Sequence, residues 1–278
     1  QKQELVPQPA RPASALDIGN VANPSQALPS LKRELLRMSD LVETMFRPCL
    51  ELYRSGDKQQ IRAVQAIDED VNNCLSGIRA FVSAIPPDVY EKKDEKSARD
   101  LMEFAIRLET AGDVVAKRLT VLAGEMRAKG SSFSQEGWSE LVQMHEGILA
   151  NMKLASNVLI SDDLESARLL SLEKTEIKRV ERESRKRHLR RLQHGSRESF
   201  ETSDIHLETL RAFREFNSHI ASIAYPVLYQ TGQLLETRLI DGTVEGVTAA
   251  LDAIEEEEKP VKAILQTRAL DHPGASEL

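Results

Sequence analysis

The feature that most constrains the fold is a succession of six long segments in which apolar residues recur at helical spacing. The third segment shows steps of four and three residues along its apolar positions: Leu101, Ala105, Leu108, Gly112, Val115, Leu119 and Leu122. This spacing places the side chains on one side of an α-helix. Segments well beyond the ~10–14 residues of an average helix, joined by short connections, predict antiparallel bundles. We therefore expect an all-α fold.

The composition excludes several classes of protein. Aromatic residues make up only 4% of the 278 residues, whereas strand-rich proteins favour aromatic and β-branched side chains. The net charge of −7 argues against a general nucleic-acid binder, which is usually basic. Two cysteines, Cys49 and Cys74, are too few for a disulfide framework, and we expect free thiols. No apolar run is long enough to span a membrane. Because the first residue is Gln, we expect a fragment or a processed product.

An internal repeat divides the chain into two similar halves. A shift of 106 positions superposes six landmarks without a gap: Met38 on Met144, Asp57 on Asp163, Val71 on Ile177, Ser97 on Ser203, Leu101 on Leu207, and Glu109 on Glu215. A constant offset is typical of a duplicated structural unit. Ser97 and Ser203 are the predicted N-caps of the third helix in each unit.

The repeat and its flanking composition predict four parts of the chain. Four prolines before position 27 indicate an extended linker rather than a folded element. After Asp241 the repeat ends, and the remaining sequence favours a short helical extension. The predicted parts are a linker at 1–26, a three-helix bundle at 27–129, a second three-helix bundle at 133–240, and a C-terminal appendage at 241–278.

Two motifs carry a resemblance to a known family. The segment Leu108–Asp113 resembles the repeated helix motif of the PhoU family, in which Glu and Asp stand four apart with a small residue before Asp. The segment Glu215–Pro226 is similar to the variant found in PhoU-like domains at the C-terminus of bacterial sodium/phosphate cotransporters. Ile67–Asn72 resembles the acidic second-helix motif of the family, and the resemblance extends over roughly residues 15–240.

The first of these motifs offers an oxygen-rich group of side chains. Glu109 and Asp113 are four apart, so they share one helix face, and Asp68 and Asn72 have the same spacing. Such oxygens suit a hard cation, and the resemblance implies a divalent or ferric metal ion at these residues. The alternative is that the acids form ion pairs on a solvated face with basic neighbours such as Arg107 and Lys117.

The second motif departs from the first. Position 219 is His, and the residues that match Asp68 and Asn72 are Lys174 and Lys178, which cannot ligate a cation while charged. A metal site from Glu215 and His219 therefore lacks its second-helix acids. We expect His219 to be a structural histidine or a partner of Glu215, and Pro226 to kink the last helix of the repeat.

The resemblance implies a regulatory domain on the cytoplasmic face of the inner membrane. It would act on the transmembrane part of a sodium/phosphate cotransporter through helix-bundle contacts and modulate phosphate transport. A free-standing PhoU-type metal-binding regulator and a structural helical scaffold are the alternatives. Catalytic signatures are missing from the sequence, so we predict no enzyme. Partners left open are a second copy of the chain and an anionic membrane surface facing the basic stretch Lys174 to Arg191; we expect no nucleic-acid partner.

Overall fold

The computed structural model describes residues 14–232, nearly all of which belong to one compact unit, Gln1–Thr231. All regular structure in this range is helical, which confirms the all-α prediction. The helices are α1 (Pro24–Phe46), α2 (Cys49–Ser55), α3 (Lys58–Ser83), α4 (Lys92–Asp113), α5 (Thr120–Lys129), α6 (Gln135–Ser161), α7 (Leu164–Gln193), α8 (Arg197–Glu201), α9 (Ser203–Ile220) and α10 (Ala224–Gln230). A π-helix, Val114–Leu119, joins α4 to α5, and a 3-10 turn, Ala221–Ile223, joins α9 to α10.

Equivalent residues of the predicted repeat begin equivalent helices. Asp57 is the N-cap of α3, where its carboxylate accepts a hydrogen bond from the Gln59 backbone N–H. Asp163 is the N-cap of α7 and accepts from the Ser166 N–H. Such caps satisfy N–H groups that have no partner within the helix. The domain boundaries at 129, 133 and 240 stay predictions, and residues 233–278, with the predicted appendage, lie outside the described range.

Two groups of helices pack against each other. Within the first group, α1, α3 and α4 are mutual neighbours, and α6, α7 and α9 are neighbours in the second. Contacts of α4 with α9 and of α1 with α6 join the groups. At this junction the Phe46 ring stacks on Phe216, with centroids 4.2 Å apart, and on His145 at 4.7 Å. Because all three side chains are buried, the two groups share an apolar core.

Three details differ from the sequence-based expectations, and one of them is that the N-cap of α9 is Thr202 rather than Ser203. The first predicted helix is broken after Phe46, because Pro48 has no backbone N–H to continue the hydrogen-bond ladder. The N-cap of α4 is Glu91 rather than Ser97, whose hydroxyl lies inside the helix and bonds to the Lys93 carbonyl. Acidic residues Asp94 and Glu95 in the first turn favour this earlier start through the helix dipole.

The described part of the predicted linker is attached to the first helix group. The Ser14 hydroxyl and the Ala15 backbone N–H both donate to the buried Glu34 carboxylate of α1, at 3.1 and 2.9 Å. The Tyr90 hydroxyl donates to the Val21 carbonyl at 2.8 Å. Helix α1 then begins at Pro24, capped by Asn23, three residues before the predicted boundary at position 27. Residues 14–23 are therefore not a free linker, whereas residues 1–13 lie outside the described range.

Candidate functional site

Three of the predicted site residues meet where α3 and α4 approach each other. Gly112 lies at this approach, where a Cβ atom would be in ordinary van der Waals contact with Asp68 Oδ1 and Val71 Cγ1, both 3.5 Å away. Asp68 on α3 thus faces the α4 segment that carries Glu109 and Asp113. The small residue before Asp113, quoted above as part of the motif, therefore lies where the two helices meet.

At this junction the pKa values of the Asp68 and Glu109 carboxyl groups are raised. Burial raises the pKa of Asp68, and the charge of Asp113 adds to it. Burial likewise raises the pKa of Glu109, with Asp113 and Asp68 contributing. Lys117 opposes both shifts, and its Nζ lies 2.5 Å from Asp113 Oδ1. All three acids are therefore electrostatically coupled to Lys117, and Arg79 also acts on Glu109.

Asn72 is directed at Asp68 through its amide nitrogen. Its Nδ2 donates to Asp68 Oδ2 over a long distance of 3.4 Å, and the other oxygen, Asp68 Oδ1, is buried without a hydrogen-bond partner. Asp113 Oδ1 is also buried and makes no well-aligned hydrogen bond, although its 2.5 Å distance to Lys117 Nζ defines an ion pair. An ammonium group rotates freely about its last bond, so the Lys117 N–H groups can turn toward this oxygen.

Within the described range, 14–232, no group of three or more His, Cys, Asp or Glu side chains could hold a metal ion. Asp113 pairs with Lys117, one of the two basic partners that the ion-pair alternative named, whereas Arg107 pairs with Glu103 at 3.5 Å. Metal binding by Asp68, Asn72, Glu109 and Asp113 stays a prediction.

In the second motif an arginine from the first helix group binds the glutamate carboxylate. Arg118 Nη1 donates to Glu215 Oε2 at 2.6 Å, and its Nε lies 3.9 Å from Glu208 Oε1. His219 is half-buried, and its pKa is lowered by burial and by the nearby charge of Arg107. Lys174 donates to the Tyr225 hydroxyl at 2.5 Å. Metal binding by Glu215 and His219 also stays a prediction.

The π-helix follows Asp113 directly and carries both cations, Lys117 and Arg118. Within it, the Ala116 carbonyl accepts hydrogen bonds from two side chains, the Thr120 hydroxyl at 2.6 Å and the Gln65 amide at 3.3 Å. Such π-helical turns occur frequently at functional sites. At the corresponding place in the second half, the 3-10 turn Ala221–Ile223 precedes Pro226, which confirms the predicted irregularity of that helix.

A buried polar cluster in the second helix group was not found from the sequence. Glu140 Oε1 accepts hydrogen bonds from Arg187 Nε and Arg191 Nη1, both at 2.8 Å. The available signal was the 106 offset, which relates Glu140 to Glu34, another acid on the apolar face of an opening helix. Arg118 was also missed, because nothing in the local sequence indicates that it reaches a different helix group.

Comparison with protein families places the first motif in a known domain. Residues 35–117 match the family described as "PhoU domain". The match spans less than a third of the chain. This PhoU domain match includes Asp68, Asn72, Glu109 and Asp113 and ends at Lys117, whereas Glu215 and His219 lie outside it.

Curated relatives cover most of this chain. It is 31% identical over 218 residues to the "Putative inorganic phosphate export protein YjbB" of Salmonella typhimurium (strain LT2), an alignment that covers 78% of this chain. The protein of the same name from Escherichia coli (strain K12) is 30% identical over 215 residues. The alignments span only 40% and 39% of the length of these two relatives.

A solved structure supports the fold assignment. The crystal structure of PhoU from Pseudomonas aeruginosa aligns with a TM-score of 0.67 at 18% identity, covering 76% of this chain and 99% of that one. The PhoU-type helical arrangement therefore extends beyond the residues matched by the family. Within the described range, none of the helices combines the length and apolar character that crossing a membrane requires.

Proposed function

We propose that this chain is a regulatory domain that modulates phosphate transport by a membrane transporter and has no catalytic role of its own. The PhoU domain supports a phosphate-related regulatory role, and the curated relatives are named as phosphate export proteins. The single observation that carries the proposal is the π-helix. Its adjacent cations connect the acids of the first helix group to Glu215 of the second.

This geometry supports a mechanism of coupling by ion pairs. Lys117 neutralises part of the charge on Asp68, Glu109 and Asp113, and the neighbouring Arg118 is bonded to Glu215. A change in the charge at the α3–α4 junction would alter the attraction for Lys117 and therefore the conformation of the π-helix. Arg118 would carry that change to α9. An element biased from two sites is the physical requirement for such coupling.

The N-terminal segment is a route by which the signal would leave the domain. We propose that residues 1–26 connect to the transmembrane part of a sodium/phosphate cotransporter, with this domain on the cytoplasmic face. Ser14 and Ala15 are bonded to Glu34 on α1, and a Cβ atom at Gly77 would lie 3.7 Å from the Leu16 side chain. A shift of α1 or α3 would therefore move the residues that lead toward the transporter.

The double substitution Glu109→Ala/Asp113→Ala tests this proposal. We expect phosphate flux in cells expressing the native full-length protein to change by about fivefold or more, the lower bound of typical allosteric coupling. The measurement is uptake and efflux of radiolabelled phosphate. The matched control is Glu95→Ala/Glu103→Ala, which removes two exposed acids from the same helix and should leave both fluxes unchanged.

Two results would contradict the proposal in different ways. Unchanged flux in the double variant, with native helicity and unfolding, would reduce the domain to a structural scaffold. A native gene product that is found in the soluble fraction, with an intact mass near 31.1 kDa, would instead favour a free-standing PhoU-type regulator. Metal analysis of that purified protein would then test the predicted metal site.

A further inference from the structure

One side of α7 presents an exposed positive stripe. Lys178, Arg182, Arg185 and Leu189 follow one another in steps of four, three and four residues, so their side chains project from one side of the helix. All four are exposed to solvent. The buried positions of the same segment form a second stripe that faces the other helices: Ile177, Glu181, Ser184 and His188. The positive stripe is therefore a free surface of the described part of the chain.

The charge of this stripe is only partly neutralised. Within residues 14–232, Lys178 and Arg182 have no ion-pair partner, and Arg185 is 3.5 Å from Glu181. Neighbouring acids bind other cations, since Glu176 pairs with Arg179 at 2.6 Å and Glu183 with Lys186 at 3.4 Å. A net positive strip thus persists on a chain whose total charge is −7.

Two large apolar side chains are exposed near the C-terminal end of α7 and on the short helix that follows it. Leu189 is 50% exposed, and Phe200, on α8 just beyond the turn that ends α7, is 77% exposed. Single apolar side chains beside flexible basic ones are typical of surfaces that rest on a bilayer. Basic side chains bind the anionic headgroups, while leucine and phenylalanine enter the boundary between headgroups and acyl chains.

We propose that the stripe Lys178–Arg182–Arg185–Leu189, together with Phe200, binds an anionic lipid surface. Nucleic acid fits less well, because no aromatic side chain is interleaved with Lys178, Arg182 and Arg185 for successive bases to stack upon, and Phe200 lies beyond the end of α7. An acidic protein partner would suit the same basic side chains, and absence of vesicle binding would point to it instead. The lipid surface is identified by its negative charge and by its capacity to receive isolated apolar side chains.

Vesicle binding by the full chain tests this inference. We expect co-sedimentation with phosphatidylcholine vesicles that contain phosphatidylglycerol, and little with phosphatidylcholine alone. Binding should weaken strongly between about 0.05 and 0.5 M salt, because the Debye length shortens. Each basic residue near an anionic surface contributes about fivefold to partition. Lys178→Glu/Arg182→Glu should therefore reduce binding by at least about tenfold.

A matched variant separates the stripe from net charge. Lys58→Glu/Arg62→Glu makes the same charge change at two exposed positions, also four residues apart, on α3, and it should retain at least half of the binding. A further variant, Leu189→Ser/Phe200→Ser, should weaken binding to anionic vesicles at high salt, where the apolar contribution dominates. Circular dichroism of every variant verifies that the helices are intact.

Four results would overturn the inference, and the first three concern the unaltered chain and the comparison of variants. They are absence of binding by the unaltered chain, equal binding to neutral and anionic vesicles, and equal loss in the α7 and α3 variants. Retained vesicle binding in the Lys178→Glu/Arg182→Glu variant would do the same. These measurements need no transporter, so they succeed or fail independently of the phosphate-flux experiment with Glu109 and Asp113.

Discussion

At the scale of single residues, the most constrained group is the buried polar cluster around Glu140. Its carboxylate is bound by two arginines, and His206 Nε2 lies 3.7 Å from Glu140 Oε2 and 3.3 Å from the Gly137 carbonyl. The His206 ring stacks on His188, with centroids 4.9 Å apart. Such a network stabilises a fold only while every member is paired, because an unpaired buried charge is costly.

The protonation of His206 makes this cluster sensitive to acid. Burial lowers the pKa of His206 to about 4, and the neighbouring His188 and Arg191 act in the same direction, against Glu140. The ring is therefore neutral in the folded protein at neutral pH. In the unfolded chain its pKa returns to an ordinary value near 6.5. Unfolding thus takes up a proton when the pH lies between these two values.

We expect the free energy of unfolding to fall as the pH falls from about 6.5 toward 4, by up to about 1.4 kcal/mol per pH unit from His206. Above pH 6.5 both states are neutral at this site, so its contribution to the pH dependence vanishes. Urea unfolding at several pH values measures the slope. His206→Gln should reduce the slope of the unfolding free energy against pH, whatever that substitution does to absolute stability. Substitution of the exposed His194 by Gln is the control and should leave the slope unchanged. An equal slope in all three proteins would refute this assignment.

At the scale of elements, glycines fix two of the connections. Gly56 ends α2 with φ of +55°, and Gly130 ends α5 with φ of +62°. This left-handed conformation disfavours residues that carry a Cβ atom. The two sites differ in their surroundings. A Cβ atom at Gly56 would lie 2.5 Å from Arg127 Cβ on α5, whereas at Gly130 nothing lies within 4 Å.

Alanine substitutions separate backbone strain from close packing at these two turns. Gly130→Ala should destabilise the protein by about 1–2 kcal/mol, the cost of the left-handed conformation alone. Gly56→Ala should cost about 2–4 kcal/mol, since α2 and α5 must also move apart. Chemical denaturation of both variants gives the comparison. If the two losses were equal, the close approach of α2 to α5 would have no energetic consequence.

At the scale of the whole molecule, the two helix groups are joined by an apolar core and by a polar contact. The apolar part includes the stacked rings of Phe46, His145 and Phe216. The polar part is the ion pair of Arg118 with Glu215, at 2.6 Å and about one-third exposed on each side. The rings supply stability, whereas the ion pair can respond to charge.

A double-mutant cycle on Arg118→Ala and Glu215→Ala should give a coupling energy of about 0.2–1 kcal/mol, because partly exposed pairs are screened by water. This coupling energy should decrease as salt is added. Arg118→Ala alone should cost more than Glu215→Ala, since Glu208 lies 3.9 Å from the same guanidinium. The control is a second cycle that combines Arg118→Ala with Glu176→Ala. Because Glu176 pairs with Arg179 instead, the two effects should be additive. A coupling of zero for Arg118 and Glu215 would remove the proposed route between the groups.

Much of the helical content was predictable because it depends on local pattern. The apolar spacing predicted long helices, and the two cysteines are free thiols as expected. The break after Phe46 also had a local signal in Pro48. The N-terminus of α4 was misplaced because Ser97 resembles a cap, while the true first turn is stabilised by Asp94 and Glu95.

The candidate site was only half predictable for a related reason. Spacing within one helix placed Glu109 and Asp113 on a common face, and the acidic motif on α3 suggested Asp68. The choice among their partners required distances between helices, which the sequence does not contain. Lys117 was named as an ion-pair partner of these acids, but Arg118, its immediate neighbour, reaches Glu215 in the other helix group.

The sequence by itself determined the all-α class and the residues on each apolar face, because both follow from periodicity within a helix. Only the tertiary structure decided that Ser14 and Ala15 form hydrogen bonds with Glu34, that α4 continues into a π-helix, and that Arg118 forms an ion pair with Glu215 on α9. These features arise between residues 19 to 97 positions apart or from a change in the helical turn. They depend on which surfaces meet when the helices pack, and no local pattern specifies that meeting.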